Sequence, residues 1–243
     1  MRLSRVFVEA PLASGAAVKL GGTAANHVIR VLRLRVGEEL TLFNGGGGEY
    51  AARIESFTGS SVLLAVGAER AVERESPLPL TLAQGISRGE RMDLVMQKAT
   101  ELGVTRLVPV LTERSVVRLD AAQAQRKLAH WRAITIAACE QCGRNRPPGV
   151  VGPVALADFL RSDLTSGTRL LLSPAASLRI VDVPKPAHSV TVLIGPEGGL
   201  TPQEQERALA SGFVGVRLGP RVLRTETAAL AALTLLQREF GDL

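Results

Sequence analysis

Two segments in the last quarter of the chain gather chemistry-bearing residues behind strand-like runs. The first is Ile194-Gly195-Pro196-Glu197-Gly198-Gly199-Leu200, which follows the apolar run Val190-Thr191-Val192-Leu193. Its glycines let backbone approach a ligand closely. In an open α/β sheet, ligands sit beyond the carboxyl ends of the strands. Thr201 and Glu204 form a capping-box pattern with Pro202 at the first helical position, so a helix should start directly after the loop. The glycine spacing is not the dinucleotide fingerprint, and no Gly-Lys-Ser/Thr follows to make a P-loop. A nucleotide-like ligand fits this pattern and a triphosphate does not. A plain tight turn between strand and helix is the alternative.

The second segment is Leu218-Gly219-Pro220-Arg221-Val222-Leu223-Arg224-Thr225-Glu226-Thr227-Ala228. Thr225 is placed to cap the next helix through its hydroxyl, and Glu226 suits the positive helix N-terminus. Arg221 and Arg224 have no evident role in the fold, although solvated loop arginines are common. The following run, residues 228–236, is apolar on nearly every face. Such a helix is buried on all sides or shared with a second subunit.

Other basic residues cluster elsewhere. Arg2, Arg5, His27, Arg30 and Arg33 belong to a stretch of 35 residues with six Lys or Arg and one acid, Glu9. This cluster suits phosphate contacts; a solvated helix face is the other reading. Arg88 lies in a basic loop after Gln84, and Arg144-Asn145-Arg146 precedes two prolines as an exposed basic loop for RNA or ligand. Cys139 and Cys142 have Cys-x-x-Cys spacing. A structural zinc site needs four ligands and no second pair exists, so no metal is expected. The pair closes a helix, where the dipole disfavours a thiolate.

The elements that must position these residues fall into two regions. Residues 5–9, 39–43, 49–56 and 61–66 read as short strands between glycine-rich turns, with residues 23–31 helical and Thr23 as cap. This spacing suggests a small barrel. A charged, proline-containing stretch at residues 69–79 marks a boundary. Beyond it, strands at 80–84, 106–111, 169–172, 190–194 and 215–218 alternate with helices at 91–102, 121–142, 156–160, 202–211 and 226–240. That alternation predicts an α/β domain with a mainly parallel sheet.

Composition excludes several classes. With 46% hydrophobic residues the chain has a real core and is not disordered. Two cysteines cannot make a disulfide scaffold. The opening residues carry charge where a signal peptide needs an apolar run, and no stretch approaches the roughly 20 apolar residues of a membrane helix. A cytoplasmic setting without membrane contact is expected. The formal charge is +6, of which only +1 falls in residues 1–75 (nine basic, eight acidic). The excess points to nucleic acid as partner.

Taken together the chain resembles one family along essentially its whole length. The marks are His27-Val28-Ile29-Arg30-Val31-Leu32-Arg33, Lys98-Ala99-Thr100-Glu101-Leu102-Gly103, Thr112-Glu113-Arg114-Ser115, Glu140-Gln141-Cys142-Gly143-Arg144-Asn145 and the two loop segments above. The family is the 16S ribosomal RNA uridine-N3 methyltransferases, within the SPOUT superfamily. The resemblance implies a PUA-like RNA-binding β-barrel over residues 1–72, a linker at 73–79, and a trefoil-knotted methyltransferase domain over 80–243. It also implies a homodimer acting on 16S rRNA or the small ribosomal subunit. Its cofactor would be S-adenosylmethionine, held by Leu172-Ser173-Pro174, by Ile194, Gly195, Pro196, Gly198, Gly199 and Leu200, and by Leu218, Gly219, Leu223, Thr225 and Ala228.

Uridine N3 carries a proton, and its lone pair is delocalised into two carbonyls. Methyl transfer therefore calls for a base, with Glu226 or Glu197 as candidates. It also calls for a cation at a carbonyl oxygen, with Arg224 or Arg221 as candidates. A related enzyme acting on tRNA or on a ribose hydroxyl is one competing reading, and a non-catalytic ribosome-assembly factor is another.

Overall fold

The computed structural model describes residues 3–116, 118–165, 167–186 and 188–243. The expected RNA contact Arg2 lies outside the described residues. The chain divides into two compact units, Met1–Glu75 with Cys139–Pro147, and Ser76–Ala138 with Pro148–Leu243. One seam falls within the charged stretch that composition marks. The return of residues 139–147 to the first unit has no compositional signal.

The first unit is built on β1 (Arg5–Phe7), β2 (Ala17–Leu20), β3 (Glu39–Phe43), β4 (Glu49–Thr58) and β5 (Ser61–Arg70). They form one sheet in the order β1-β3-β4-β5-β2. β1 runs parallel to β3 and the other pairs are antiparallel. β2 escapes the sequence reading because four residues of alternation, buried only at Val18 and Leu20, are too few to stand out. Gly45, Gly47 and Gly48 take positive φ in the β3–β4 turn, which explains the glycine run there. The expected single helix is instead α1 (Gly22–Asn26) continued by a π-helical turn, His27–Val31. Gly21, not Thr23, holds the cap position, and Thr23 lies inside the helix. The core of this unit joins Val6, Leu20, Val28, Leu40, Leu42, Ile54 and Leu64.

The second unit holds β6 (Leu80–Gly85), β7 (Arg106–Leu111), β8 (Gly149–Val150), β9 (Val154–Ala155), β10 (Thr168–Leu172), β11 (Leu178–Arg179), β12 (Val190–Ile194) and β13 (Val214–Arg217). The sheet order is β11-β13-β10-β12-β6-β7-β8, with β9 also on β7, and every pairing is parallel. The helices are α2 (Glu90–Glu101), α3 (Ala121–Cys142), α4 (Leu156–Arg161), α5 (Pro202–Ala210) and α6 (Thr225–Phe240). All five residues of β12 are buried, as a parallel strand covered on both faces requires. Its alternate residues serve different cores. Val190, Val192 and Ile194 join Met92, Met96, Ala229 and Leu233 of α2 and α6. Leu193 joins Phe159 of α4, Ala208 of α5 and Phe213. Among the described residues no helix is long and apolar enough to cross a membrane.

α2 and α6 are joined by the buried side chain of Gln237. Its Nε2 donates to the Leu102 carbonyl at 2.8 Å, and its Oε1 accepts from Ser76 Oγ at 2.6 Å. A second tie links α2 to α3, where Asp93 faces His130 Nε2 at 2.8 Å and accepts from Trp131 Nε1 at 3.2 Å. The second tie anchors the first turn of α2, which carries Arg91 to the site described next.

Candidate active site

Sheet order decides where the loops meet. β13, β10 and β12 are neighbours and run parallel, so their carboxyl ends lie side by side. The three loops that leave them enclose a cavity of about 650 Å³. Leu172, Ser173 and Pro174 come from the first loop. Ile194, Gly195, Pro196, Glu197, Gly199 and Leu200 come from the second, and Leu218, Gly219, Arg221, Leu223, Arg224, Thr225, Glu226 and Ala228 from the third. Of the residues singled out in these loops, Gly198 alone does not line it. Its carbonyl instead accepts from Arg114 Nη1 at 2.9 Å.

Local contacts shape this wall. Thr201 and Glu204 form the capping box expected from their spacing. Glu204 does more than cap, because its Oε1 also accepts from the Glu113 backbone N–H at 2.8 Å. A Cβ on Gly195 would stand 2.9 Å from backbone atoms of Gly199 and Leu200, and one on Gly85 would stand 2.4 Å from the Pro196 nitrogen. These two glycines let the loop fold back on itself and onto the end of β6. Thr225 does not cap α6 as expected. Arg224 is the cap residue, with no side-chain capping bond, and Thr225 opens the helix. The Thr225 hydroxyl donates to the Gly195 carbonyl at 2.6 Å and accepts from Gln84 Nε2 at 2.8 Å.

The two candidate carboxylates differ sharply. Glu197 accepts from the Arg88 backbone N–H at 3.1 Å and from Arg91 Nη1 at 3.0 Å. Burial works to raise its pKa, but its own N–H, that of Arg88 and the Arg91 guanidinium outweigh burial and hold it below the usual value. Glu226 is largely buried. Its Oε1 lies 3.9 Å from Arg91 Nε, and its Oε2 is buried with no hydrogen-bond partner among the described residues. Arg221 and Arg224 are exposed and make no ion pair among the described residues. Arg91 and Arg114 also line the cavity. Their motifs, Arg88-Gly89-Glu90-Arg91 and Thr112-Glu113-Arg114-Ser115, lie far from the loops in sequence and give no hint of the meeting. Among the described residues no cluster of three or more His, Cys, Asp or Glu could hold a metal ion.

The RNA methyltransferase domain family matches residues 74–237, and the RNA methyltransferase PUA domain matches residues 20–66. The ribosomal RNA small subunit methyltransferase E of Buchnera aphidicola is 32% identical over 242 residues, spanning 100% of this chain and 98% of its own. The chain belongs to the ribosomal RNA small subunit methyltransferase E family. Within this family, the Neisseria gonorrhoeae enzyme bound to S-adenosyl methionine is 38% identical with a TM-score of 0.92, covering 100% of both chains. A Legionella pneumophila protein solved in complex with its bound cofactor SAM is 44% identical with a TM-score of 0.96, again over 100% of both chains.

In this member of the methyltransferase E family the other basic residues divide by burial. Arg5 and Arg144 are 6% and 4% exposed. Arg5 pairs with Glu49, donates to the Arg144 carbonyl and to Asn145 Oδ1, and lies over the Phe43 ring. Arg144 pairs with Glu75. Both were expected to meet RNA. Instead their side chains are buried and paired with carboxylates of the first unit. Arg146 is exposed but paired with Glu73 at 2.9 Å. His27 is half-buried, 3.9 Å from Glu140. Arg30, Arg33 and Arg88 have exposed side chains without an acidic partner among the described residues. Arg33 sits at φ 53, the left-handed region that only glycine enters freely. Cys139 is buried, and a hydrogen bond with Cys142 followed by burial pushes its thiol well above the usual value, the opposite of a reactive thiolate.

Proposed function

We propose that this protein transfers a methyl group from S-adenosylmethionine to N3 of a uridine in 16S rRNA. The observation that carries the reading is the three-loop cavity, built on full-length relatives that bind this cofactor. Its volume of about 650 Å³ lies in the range of small-molecule sites. Apolar Leu172, Ile194, Leu200, Leu218 and Leu223 suit a purine ring, and five arginines against two glutamates suit a carboxylate group. When bound, the cofactor supplies an electrophilic methyl on a positively charged sulfur.

The protein's own groups do the rest. The Glu226 carboxylate, whose Oε2 has no hydrogen-bond partner among the described residues, takes the N3 proton as the N3–methyl bond forms and the sulfur leaves as a neutral thioether. Arg224 or Arg221 offsets charge on a uracil carbonyl oxygen. Glu197 is already committed to Arg88 and Arg91, so it shapes the site and is not the base. Arg30, Arg33 and Arg88 hold RNA phosphate. Residues 1–75 with 139–147 act as the RNA-binding unit, and residues 76–138 with 148–243 as the methyltransferase domain. The chain works in the cytoplasm as a homodimer on 16S rRNA or the small subunit. The half-buried Leu230, Ala231 and Leu235 of α6 supply part of the dimer contact.

Primer extension on rRNA from a strain lacking the gene tests the reading. Loss of a stop at a single uridine, restored by the wild-type gene but not by Glu226→Gln, is the expected result. An unchanged pattern of stops overturns it.

A further inference from the structure

A second cavity, of about 580 Å³, adjoins the first and is lined by Glu90, Arg91, Asp93, Leu94, Gln97 and Ile134 with Arg224 and Glu226. Arg91, Arg224 and Glu226 line both cavities, so these three side chains form the partition between them. The two sides carry opposite charge. Arginines outnumber carboxylates on the cofactor side. The second cavity sets Glu90, Asp93 and Glu226 against Arg91 and Arg224. Carboxylates repel phosphate, so this second space is unfit for the RNA backbone. It suits a neutral ring that offers an N–H and carbonyl oxygens. Leu94 and Ile134 supply apolar surface for the faces of such a ring, and the Gln97 amide can both donate and accept.

We infer that this second cavity is the acceptor-base subsite, taking a uracil ring flipped out of RNA, and that Arg91 is a positioning residue holding Glu226 in the partition. The inference rests on the methyl-transfer reading above. Arg91 spans the two carboxylates, with Nη1 3.0 Å from Glu197 and Nε 3.9 Å from Glu226. Glu197 thus anchors the guanidinium from the cofactor side while the guanidinium holds Oε1 of Glu226. Oε2 is buried and has no hydrogen-bond partner among the described residues, so the Glu226 carboxylate keeps accepting capacity that its neighbours do not use. Asp93 is taken by His130 and Trp131, so it does not compete for the N3 proton.

The test compares wild type with Leu94→Trp, Arg91→Ala and Arg91→Lys. Four readouts apply: calorimetric affinity for S-adenosylmethionine, kcat, KM for small subunits lacking the modification, and sedimentation. Leu94 is 40% exposed, so a larger side chain there enters the cavity without disturbing the core. Leu94→Trp should raise KM for the subunit about tenfold while cofactor affinity and oligomeric state hold. Arg91→Ala should lower kcat at least about tenfold with KM nearly unchanged, and Arg91→Lys should recover part of that loss. An unchanged KM in Leu94→Trp overturns the subsite, as does a change in its oligomeric state. A loss in Arg91→Ala confined to cofactor affinity, or no recovery by lysine, overturns the positioning role. If wild type itself transfers no methyl, the methyl-transfer reading fails first and takes the subsite with it. If wild type is active and the variants match it, only the subsite fails.

Discussion

The Thr225 hydroxyl donates to the carbonyl of Gly195 across 2.6 Å, joining two loops of the cofactor cavity that lie 30 residues apart in the chain. Thr225 is 7% exposed and also receives the Gln84 side-chain amide. Replacing it with valine keeps the shape and removes both bonds. Thr225→Val should cost about 0.5–1.5 kcal/mol for each bond lost, because Gln84 Nε2 keeps the Gly85 carbonyl at 3.1 Å and the Gly195 carbonyl at 3.4 Å. Affinity for S-adenosylmethionine should fall with it, while Thr225→Ser retains most of both. Thermal denaturation and calorimetry on the two variants check this.

Backbone crowding predicts a contrast between two glycines of the same cavity. Gly195→Ala places a methyl 2.9 Å from the Gly199 and Leu200 backbone, whereas a Cβ on Gly219 meets nothing within 4 Å. Gly195→Ala should lose about 1–3 kcal/mol from overpacking. At roughly 2–4 °C per kcal/mol for a chain of this size, that is a clear drop in melting temperature. Gly219→Ala should melt with wild type in the absence of cofactor. Equal melting of the two variants would contradict the crowding.

Arg33 separates stability from RNA binding. At φ 53 it sits in a conformation that costs an L residue about 1–2 kcal/mol. Arg33→Gly relieves that cost and adds roughly 0.5–1 kcal/mol of unfolded-state entropy. Stability should therefore hold or rise slightly. RNA affinity should fall, with the salt slope shallower by about one. A salt slope equal to wild type would show Arg33 to be a solvated side chain.

Two carboxyls in the first unit give pH dependence of opposite sign. Burial works to raise Glu49, but hydrogen bonds and charge from Arg5 and Arg74 outweigh it and hold the carboxyl below its usual 4.5. Its stabilisation is fully present above the unfolded value and is lost as pH falls through the lower folded one. Glu140 is raised by burial, against the Phe7 N–H, His27 and Arg5. Its stabilisation is full below the unfolded value and is lost as pH rises through the folded one. Urea denaturation from about pH 3 to pH 7 should show a flatter acid limb in Glu49→Gln and a flatter limb on the side above the unfolded carboxyl value in Glu140→Gln. Glu49→Gln should also cost about 3–5 kcal/mol by stranding the buried Arg5 charge.

Local pattern determined the elements that carry the site. β6, β7, β10 and β12 are legible because a parallel strand buried on both faces is a run of apolar residues wherever it lies in the sheet. The Thr201 capping box is legible because its bonds span three residues. The loops after β10, β12 and β13 are legible as ligand-bearing because they follow such strands. The tertiary structure alone decided which of these loops meet, since the order β13-β10-β12 depends on pairings between residues far apart in sequence. It alone brought Arg91 and Arg114 to the cavity, and separated the committed Glu197 from Glu226, whose Oε2 has no hydrogen-bond partner among the described residues. It also buried Arg5 and Arg144 against carboxylates of their own unit. An arginine reads the same in a sequence whether water or a distant glutamate neutralises it, and the partners of Arg5 lie 44 and 140 residues away. Burial and partnership of charge are properties of the folded chain, so the kind of chemistry was written locally and its division among side chains was not.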